Sequence, residues 1–360
     1  MQDLGTSSTV VEIGCLADDI TSDTLPSPSI RWGSQIYSGS VPPVCCKTHS
    51  TTFLNMAELR IATLCILGCG NLGIAILDSL IKAIGSNEPK DDLLFDRVIA
   101  CVRSESSEKR LKDRYPASSD HLMISRDSNV KAVELSHVII LAVDPADIEQ
   151  TLAQPGLREA LANKLLISVA AGWTRKGLEN ALYGSDTTLE NNNGRAWVVR
   201  TLPNIAAQVA QSFTAIEVSE PAVPAPYMEV VDGIFKQIGQ IAHIPPRLMD
   251  ASSAVAGSTP AFFAVIADAL IDAAVAVGMP RHLAQAMIFQ SMQGTASILQ
   301  GGVHQAILRD EGTAPEGCTI AGLMVMEEGA VRGHVGRALR EAVTVARQMD
   351  GTRHVNDTRQ

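Results

Sequence analysis

The stretch from Arg309 to Arg332 joins a polar loop to the start of a short apolar helix. Gly317, Cys318 and Thr319 stand where the loop turns into that helix. Backbone N–H groups at a helix start lack intrahelical acceptors and carry partial positive charge, so they can hold a small carboxylate. The Thr319 hydroxyl can cap the helix or reach a ligand atom. The segment is a candidate acid-binding site, and an ordinary capped helix explains the local pattern equally well.

A second candidate site follows the short apolar run 64–67. Gly68, Gly70 and Gly73 have the G-x-G-x-x-G spacing. In dinucleotide-binding folds the first glycine permits a tight turn, the second lets the backbone approach the phosphates, and the third lets helix pack against strand. The triplet alone is a weak signal, but here a predicted strand precedes it and a predicted helix, 71–84, follows. The pattern therefore predicts a dinucleotide site, with a merely structural turn as the alternative.

The end of the second predicted strand, 98–102, bears on which dinucleotide is bound. NAD sites usually place an acidic residue there, whereas the extra phosphate of NADP requires basic and hydroxyl groups. The chain offers Arg103 and Ser104, and a guanidinium can bind phosphate through two parallel hydrogen bonds. Glu105 and Glu108 follow closely and weaken this argument. We predict NADPH as the cofactor, with NADH as the alternative.

Length and composition indicate a soluble enzyme of two domains. A chain of 360 residues with 46% hydrophobic residues exceeds what one core normally supports. The formal net charge of -10 makes phosphate backbones and anionic membranes poor partners, so neither a nucleic-acid nor a membrane partner is predicted. The seven cysteines are odd in number and scattered, which is typical of a reducing compartment and predicts a cytoplasmic protein.

Two groups of residues invite a metal interpretation. Cys45 and Cys46 have His49 nearby, but no second ligand pair follows at metal spacing. Asp268 and Asp272 lie one turn apart on a predicted helix, without a histidine or a third acid beside them. A polar stripe on a packed helix explains the two aspartates better, and we predict no metal site.

The two ends of the chain differ from the rest in composition. Residues 1–59 are rich in Ser, Thr, Pro and Gly and predict a mostly disordered extension. Several acidic residues in this segment argue against a mitochondrial transit peptide, which is normally poor in acids. Residues 351–360 are interpreted as a tail.

Further strand and helix patterns follow the glycine segment. Strands are predicted at 138–143 and 165–170, and a later strand ends in a Pro-Asn turn. That turn places Asn204 at the carboxyl edge of the sheet, where it can contact a nicotinamide ring, although turn formation explains the residue almost as well. A last helix-to-strand unit is predicted at 235–244. Residues 60–245 are therefore predicted to form a Rossmann-like domain of the α/β class that binds NAD(P).

From Pro245 onward the strand patterns stop and helical patterns follow. The residues Ser258 to Pro260 predict a helix start with a serine cap and a proline in the first turn, and Gly278 ends that helix. These helices are apolar over more than one face, which requires burial against a partner, and a second copy of the chain is the simplest partner. We predict an all-α dimerisation and substrate-binding domain over 246–350, and an interlocked homodimer.

The order of these segments resembles the pyrroline-5-carboxylate reductase family along nearly all of residues 60–349. The matching runs are GCGNLG, ILAVDP, SVAAGWT, VVRTLPN, IPPRLMDASSAVAGSTPAFFAVIADAL and LRDEGTAPEGCTIAGLMVMEEGAVRG, of which the last is the most specific. The resemblance implies an N-terminal Rossmann-like dinucleotide-binding domain followed by an all-α dimerisation domain. It also implies NAD(P)H-dependent reduction of the cyclic imine 1-pyrroline-5-carboxylate to L-proline, by a homodimer or a larger oligomer.

The resemblance also implies roles for individual residues. Thr319 contacts the ring nitrogen of the substrate as the catalytic residue, and the backbone of 317–319 holds the carboxylate. Hydride transfer to a C=N carbon needs positioning more than acid catalysis, because a cyclic imine can be protonated before it binds. The predicted substrate-binding residues are Gly317, Cys318, Thr319, Ala314 and Ser258. The predicted cofactor-binding residues are Gly68, Gly70, Asn71, Leu72, Gly73, Arg103, Ser104, Ala142, Val143, Pro145 and Asn204.

Several positions depart from the family pattern. Where the family usually has Ser-Pro-Gly-Gly, this chain has Ala314 in place of the serine and Glu316 in place of the first glycine. A hydroxyl is lost, and a carboxylate appears near an anion site unless it points outward or pairs with Arg309. The common lysine after the fourth strand is Asp144, and Thr259 replaces a glycine. A substituted or enlarged cyclic imino acid as substrate, or a non-catalytic cofactor-binding paralogue, therefore remain alternatives.

Overall fold

The computed structural model describes residues 62–85, 95–116, 120–184, 194–218 and 220–349. All of them belong to one unit, Phe53–Gln360. The predicted extension 1–59 and the predicted tail 351–360 lie outside the described residues, as do Cys45, Cys46 and His49.

Eight strands of the described residues form one sheet. They are β1 Ala62–Leu67, β2 Phe95–Val102, β3 Leu122–Arg126, β4 Val138–Leu141, β5 Leu165–Ser168, β6 Trp197–Leu202, β7 Ser212–Glu217 and β8 Gly239–Ile244. The strand order is β3-β2-β1-β4-β5-β6-β7-β8, and every neighbouring pair is parallel except β6 and β7. The order reverses beside β1, and in such sheets ligands bind at the carboxyl ends of the strands near that reversal.

Helices between the strands cover both faces of the sheet. They are α1 Asn71–Gly85, α2 Glu105–Arg114, α3 Asn129–Glu134, α4 Ile148–Leu152, α5 Leu157–Ala160, α6 Arg175–Tyr183 and α7 Ala225–Lys236. Alternate residues of a strand point to opposite faces, so Leu64 and Ile66 join one buried apolar cluster while Cys65 and Leu67 join the other. Burial on both faces explains the continuous apolar runs seen in the sequence.

After β8, the described residues form helices joined by turns. These helices are α8 Met249–Gly257, α9 Thr259–Ala276, α10 Arg281–Gln300, α11 Gln305–Glu311, α12 Cys318–Glu328 and α13 Val331–Met349. Helix α13 packs on α8, and α9 packs on α10. Large apolar side chains such as Val277, Met324 and Val325 are exposed in the single chain. The Rossmann-like sheet followed by a helical region agrees with the predicted fold class.

One helical stretch, Pro246–Ala276, is long and apolar enough to span a membrane by length and composition alone. Only 17% of its most apolar window is buried within the single chain. Core helices of soluble proteins can be equally long and apolar, so length and composition alone do not indicate a membrane segment. Asp268 lies within the stretch.

Several local predictions are wrong. Ser258 does not cap α9 with its side chain, because α8 runs into α9 with Ser258 itself in helical geometry. The Thr259 hydroxyl instead donates to the Val255 carbonyl at 2.7 Å. The strands predicted at 138–143 and 165–170 end earlier, at Leu141 and Ser168. The Ala142 and Val169 amides still donate to the neighbouring strand, and the chain then leaves the sheet in a turn. Strands β3 and β7 were not predicted, because short strands that mix polar with apolar residues have no distinctive pattern.

Candidate active site

A cleft of about 840 Å³ opens at the carboxyl ends of the strands that flank β1. The predicted cofactor-binding residues that line it are Gly68, Gly70, Asn71, Leu72, Arg103, Ser104, Ala142, Val143 and Pro145. They come from the turns after β1, β2 and β4, which chain topology brings to one edge of the sheet. The segments that the sequence pattern predicted for nucleotide binding therefore line one cleft.

The glycine loop has the geometry that a dinucleotide needs. Gly68 has φ +94, and a Cβ there would lie 2.7 Å from the Ala142 carbonyl oxygen. A Cβ on Gly73 would collide with the Gly68 carbonyl oxygen, so this glycine lets α1 pack against the loop rather than lining the cleft. Gly70 has nothing within 4 Å of its Cβ position, which leaves open space at the loop. A phosphate can approach this backbone closely.

The start of α1 supplies donors to the same space. The Ile74 N–H donates to the Gly70 carbonyl at 2.9 Å, and the preceding amides of the first turn have no intrahelical acceptor by helix geometry. Asn71 and Leu72, from that turn, line the cleft. Free amides and the helix dipole favour an anion at this point. The residues present therefore fit the pyrophosphate of a dinucleotide.

Arg103 lies at the mouth of the cleft, but its guanidinium is already paired. Its Nη1 is 3.1 Å from Oδ2 of Asp147, and the Arg103 side chain is 84% exposed. Ser104 caps α2, since its Oγ accepts from the Ser107 N–H at 3.2 Å. Arg110 also lines the cleft and donates from Nη2 to the Cys69 carbonyl at 3.1 Å. Sequence reasoning assigned no role to Asp147, because its position opposite Arg103 follows only from the strand order.

A smaller compartment of about 350 Å³ adjoins the cleft. It shares Asn71 and Leu72 with the cleft and is closed by the end of β6 and by α8. Besides Asn71, its polar lining is Asn204, Ser252 and Ser253. Sequence reasoning missed both serines, because serines in a helix of small residues carry no distinctive signal.

Asn204 lines this smaller compartment, but both ends of its amide are engaged. Its Oδ1 accepts from the Ala206 N–H at 3.1 Å, and its Nδ2 donates to the Ala256 carbonyl at 2.9 Å. The side chain thus closes the turn after β6 and ties that turn to α8. Its predicted nicotinamide contact stays a prediction.

A buried ionic cluster provides a second tie between β6 and α8. The Arg200 side chain on β6 is 3% exposed, and its Nη2 donates to Oδ1 of Asp250 at 3.0 Å. Its Nη1 is 3.7 Å from Oε2 of Glu217, which ends β7. Asp250 belongs to the first turn of α8, two residues before Ser252. Arg200 and Asn204 together hold α8 against the sheet edge where the smaller compartment lies.

Three of the described cysteines surround the glycine loop as free thiols. Burial raises the pKa of Cys69 to about 12, and Cys69 and Cys101 line the cleft. The Cys65 and Cys101 Sγ atoms are hydrogen-bonded at 3.7 Å. This bond is the largest cause, and burial the second, of a Cys65 pKa well above its ordinary value. Thiols with raised pKa values are poor nucleophiles, so Cys65 and Cys69 act as small apolar groups.

The predicted substrate loop is formed as expected. Helix α12 begins at Cys318, with Gly317 as its N-cap and no side chain capping it. Thr319 is exposed, and among the described hydrogen bonds its hydroxyl has no partner. Glu316 is exposed at φ +60, and Arg309 pairs with Asp310 at 2.9 Å rather than with Glu316. The Gly317 N–H donates to the Ala314 carbonyl at 3.0 Å, so of the three predicted amides those of Cys318 and Thr319 are left at the helix start beside the Thr319 hydroxyl.

The single chain does not bring the two predicted halves of the site together. Among the described residues, those lining the cleft and the smaller compartment do not include Ala314, Gly317, Cys318, Thr319 or Ser258. The substrate loop lies in the helical region, whose apolar side chains are exposed. Among the described residues, no group of three or more His, Cys, Asp or Glu is placed to hold a metal ion.

Two family models match this chain. A model described as pyrroline-5-carboxylate reductase dimerisation matches residues 246–349. A model described as NADP oxidoreductase, coenzyme F420-dependent, matches residues 63–172. The first covers the helical region, and the second covers the glycine loop and the strands up to β5.

Curated relatives span most of the chain. A pyrroline-5-carboxylate reductase of Lophium arboricola is 40% identical over 308 residues, which is 82% of this chain and 96% of the relative. One of Neurospora crassa is 36% identical over 321 residues, again 82% and 96%. One of Schizosaccharomyces pombe is 31% identical over 289 residues, covering 78% and 97%.

Solved structures match the fold over a similar length. Plasmodium falciparum pyrroline carboxylate reductase, solved with NADP bound, has a TM-score of 0.66 at 23% identity and covers 81% of this chain and 99% of its own. A pyrroline-5-carboxylate reductase from Coxiella burnetii has a TM-score of 0.66 at 24% identity and covers 81% and 100%. At these identities the structural matches show the fold alone.

Proposed function

Because the chain belongs to the pyrroline-5-carboxylate reductase family, we propose that it reduces 1-pyrroline-5-carboxylate to L-proline with NADPH as the cofactor. The observation that carries this proposal is the pairing of an intact dinucleotide cleft with a helix start of free amides and a free Thr319 hydroxyl. Relatives named for this reaction are up to 40% identical over most of the chain.

We infer that the glycine loop and the start of α1 hold the cofactor. The first-turn amides of Asn71 and Leu72 bind the pyrophosphate over the open backbone at Gly70. Arg103 and Ser104 lie where an extra phosphate on the ribose requires a cation and a hydroxyl. When bound, the reduced nicotinamide supplies a hydride to the C=N carbon.

The substrate loop orients the imine. The amides of Cys318 and Thr319 bind the carboxylate of the substrate, whereas the Gly317 N–H already donates to the Ala314 carbonyl at 3.0 Å. The Thr319 hydroxyl oxygen accepts a hydrogen bond from the protonated ring nitrogen and holds the ring in one orientation. The nitrogen keeps this proton when the carbon is reduced, so the product is a secondary amine and no side chain has to supply an acid. A neutral threonine is therefore sufficient.

The complete site requires a second copy of the chain. The compartments and the substrate loop are separate in one chain, and the helices carry exposed apolar side chains. In a homodimer, the helical region of one protomer brings its substrate loop to the smaller compartment of its partner. Burial of these faces in a homodimer also accounts for the apolar composition of Pro246–Ala276 without a membrane. The proposed partners are therefore the imine and a second copy, with no nucleic acid or membrane.

The domain boundaries and the compartment belong to the same proposal. Strand β8 ends at Ile244, and the described residues from Pro246 to Met349 contain only helices and turns, which supports a boundary near residue 245. The thiols of Cys65, Cys69 and Cys101 are free, which supports a reducing compartment and a cytoplasmic location.

A substituted or enlarged cyclic imino acid is the second candidate substrate. Ala314 lacks the hydroxyl that the family usually places in the loop, and Glu316 adds a carboxylate beside the proposed anion site. The lost hydroxyl at Ala314 removes a substrate contact and leaves slightly more room, and the Glu316 carboxylate disfavours a small anionic ring. The two candidates share the same cofactor, loop and hydride transfer.

Oxidation of NADPH, followed by absorbance, tests the proposal on the full chain. The substrates are 1-pyrroline-5-carboxylate, a methyl-substituted pyrroline carboxylate and a six-membered imino acid. We expect Thr319→Ala to lower kcat/KM on the preferred imine by about a hundredfold, because an orienting contact to the reacting ring is lost. Thr319→Ser is the matched control and should retain most activity, since it keeps the hydroxyl. Equal rates in the wild type and the alanine variant would remove Thr319 from the mechanism. If none of the three imines supported oxidation of NADPH, the proposed function would be refuted.

A further inference from the structure

The ion pair between Arg103 and Asp147 crosses the mouth of the nucleotide cleft. Arg103 follows β2, and Asp147 ends the short 3-10 turn Pro145–Asp147 after β4. Strand β1 lies between β2 and β4 in the sheet, and the glycine loop follows β1. The pair, with Nη1 and Oδ2 3.1 Å apart, therefore joins the two sides of the edge at which the glycine loop lies.

The backbone of Asp147 is held in place. Its N–H donates to the Asp144 carbonyl at 2.8 Å, and its carbonyl accepts from the Thr151 hydroxyl at 2.7 Å. The side chain of Arg103 is 84% exposed and that of Asp147 is 37% exposed, so Arg103 is the more adaptable partner. A phosphate that engages Arg103 therefore does so beside the carboxylate of an anchored residue.

The charge of the cleft makes this competition matter. Its lining contains the cations Arg103 and Arg110 and the acids Asp127, Asp144 and Asp147. Arg110 is turned towards the glycine loop by its bond to the Cys69 carbonyl. Arg103 is thus the cation left at the end of β2, where the ribose of a dinucleotide lies in this fold. A 2′-phosphate there shares Arg103 with Asp147 and is repelled by the carboxylate.

We propose that Asp147 is a specificity-determining residue, which lowers the preference of this chain for a nucleotide with a 2′-phosphate over one without it. The proposal rests on the nicotinamide cofactor proposed above and deepens it. A nucleotide with a free 2′-hydroxyl leaves the ion pair intact and can donate to the same carboxylate. Asp147 therefore brings NADPH and NADH closer in affinity than Arg103 alone would.

Binding of two cofactor fragments to the full chain tests the proposal without any catalysis. Calorimetry gives the dissociation constants of adenosine 2′,5′-bisphosphate and of 5′-AMP. The constant for 5′-AMP divided by the constant for the bisphosphate is the ratio that measures preference for the 2′-phosphate. We expect Asp147→Asn to raise this ratio about fivefold, the order of effect of releasing one exposed ion pair. Asp127→Asn is the matched control, because it removes the same charge from the same cleft and asparagine tolerates its φ of 58. It should change the binding of both nucleotides alike.

A second background isolates the ion pair from the general field of the cleft. With Arg103→Ala already present, Asp147→Asn should raise the ratio less than it does in the wild-type chain, because only the direct effect of the carboxylate on the nucleotide remains. An equal rise of the ratio in Asp147→Asn and Asp127→Asn would overturn the proposal, as would a fall in Asp147→Asn. A wild-type chain that bound neither nucleotide would refute the cofactor site itself. Binding of both, with a ratio that Asp147→Asn leaves unchanged, would refute this inference alone.

Discussion

Replacing Arg200 by methionine should destabilise the protein strongly. The guanidinium is 3.0 Å from Asp250 and 3.7 Å from Glu217, and all three side chains are largely buried. Without the arginine, two carboxylates remain close together and out of water. Removing one partner of a buried ionic group costs about 3 to 5 kcal/mol, far more than the methionine gains by packing. For a chain of this size that corresponds to a fall in Tm on the order of 10 °C.

Thermal unfolding at a fixed protomer concentration measures this effect, since the stability of an oligomer depends on concentration. The matched control is Arg158→Met, which breaks an exposed pair with Glu159 and should cost less than about 1 kcal/mol. In a variant that also carries Glu217→Gln and Asp250→Asn, the buried charges are gone and most of the lost stability should return. An Arg200→Met variant that unfolds no earlier than Arg158→Met would refute the reasoning.

The remaining predictions concern the substrate loop and the cleft. Glu316→Gly should raise the free energy of unfolding by about 1 kcal/mol, because a φ of +60 is strained for a residue with a Cβ. The double variant Ala314→Ser with Glu316→Gly should also raise kcat/KM on the unsubstituted imine. Unchanged stability would mean that the loop carries no strain, and unchanged kinetics would mean that the loop departures are neutral. The raised pKa of Cys69 predicts that this thiol resists alkylation at pH 8, because little thiolate is present. The neutral thiol should also contribute to stability fully at pH values below its ordinary pKa of 9.0, and progressively less as the pH rises towards the folded-state pKa of about 12. Mass spectrometry after iodoacetamide treatment checks the first point, with the unfolded chain as control, and rapid native alkylation of Cys69 would contradict it.

Local patterns predicted much of the nucleotide half. The apolar run before Gly68 is typical of a parallel strand buried on both faces, and the glycine spacing follows from steric limits that hold wherever a strand turns into a helix around a phosphate. The helix start at Cys318 was predicted for the same reason, since a glycine-rich loop ending in an apolar run determines where the helix begins. These features depend on neighbours along the chain, so a single sequence is sufficient to recognise them.

The tertiary structure decided what depends on residues far apart in the chain. Arg103 alone predicts a phosphate site, but only the order β2-β1-β4 shows that Asp147 reaches it. Arg200, Glu217 and Asp250 have no recognisable spacing, because their interaction arises from an antiparallel strand pair and a packed helix. The local sequence thus predicted the glycine turn of the cleft and the helix start of the loop. Packing determined which charges pair, because electrostatic energy depends on distance in space and not along the chain.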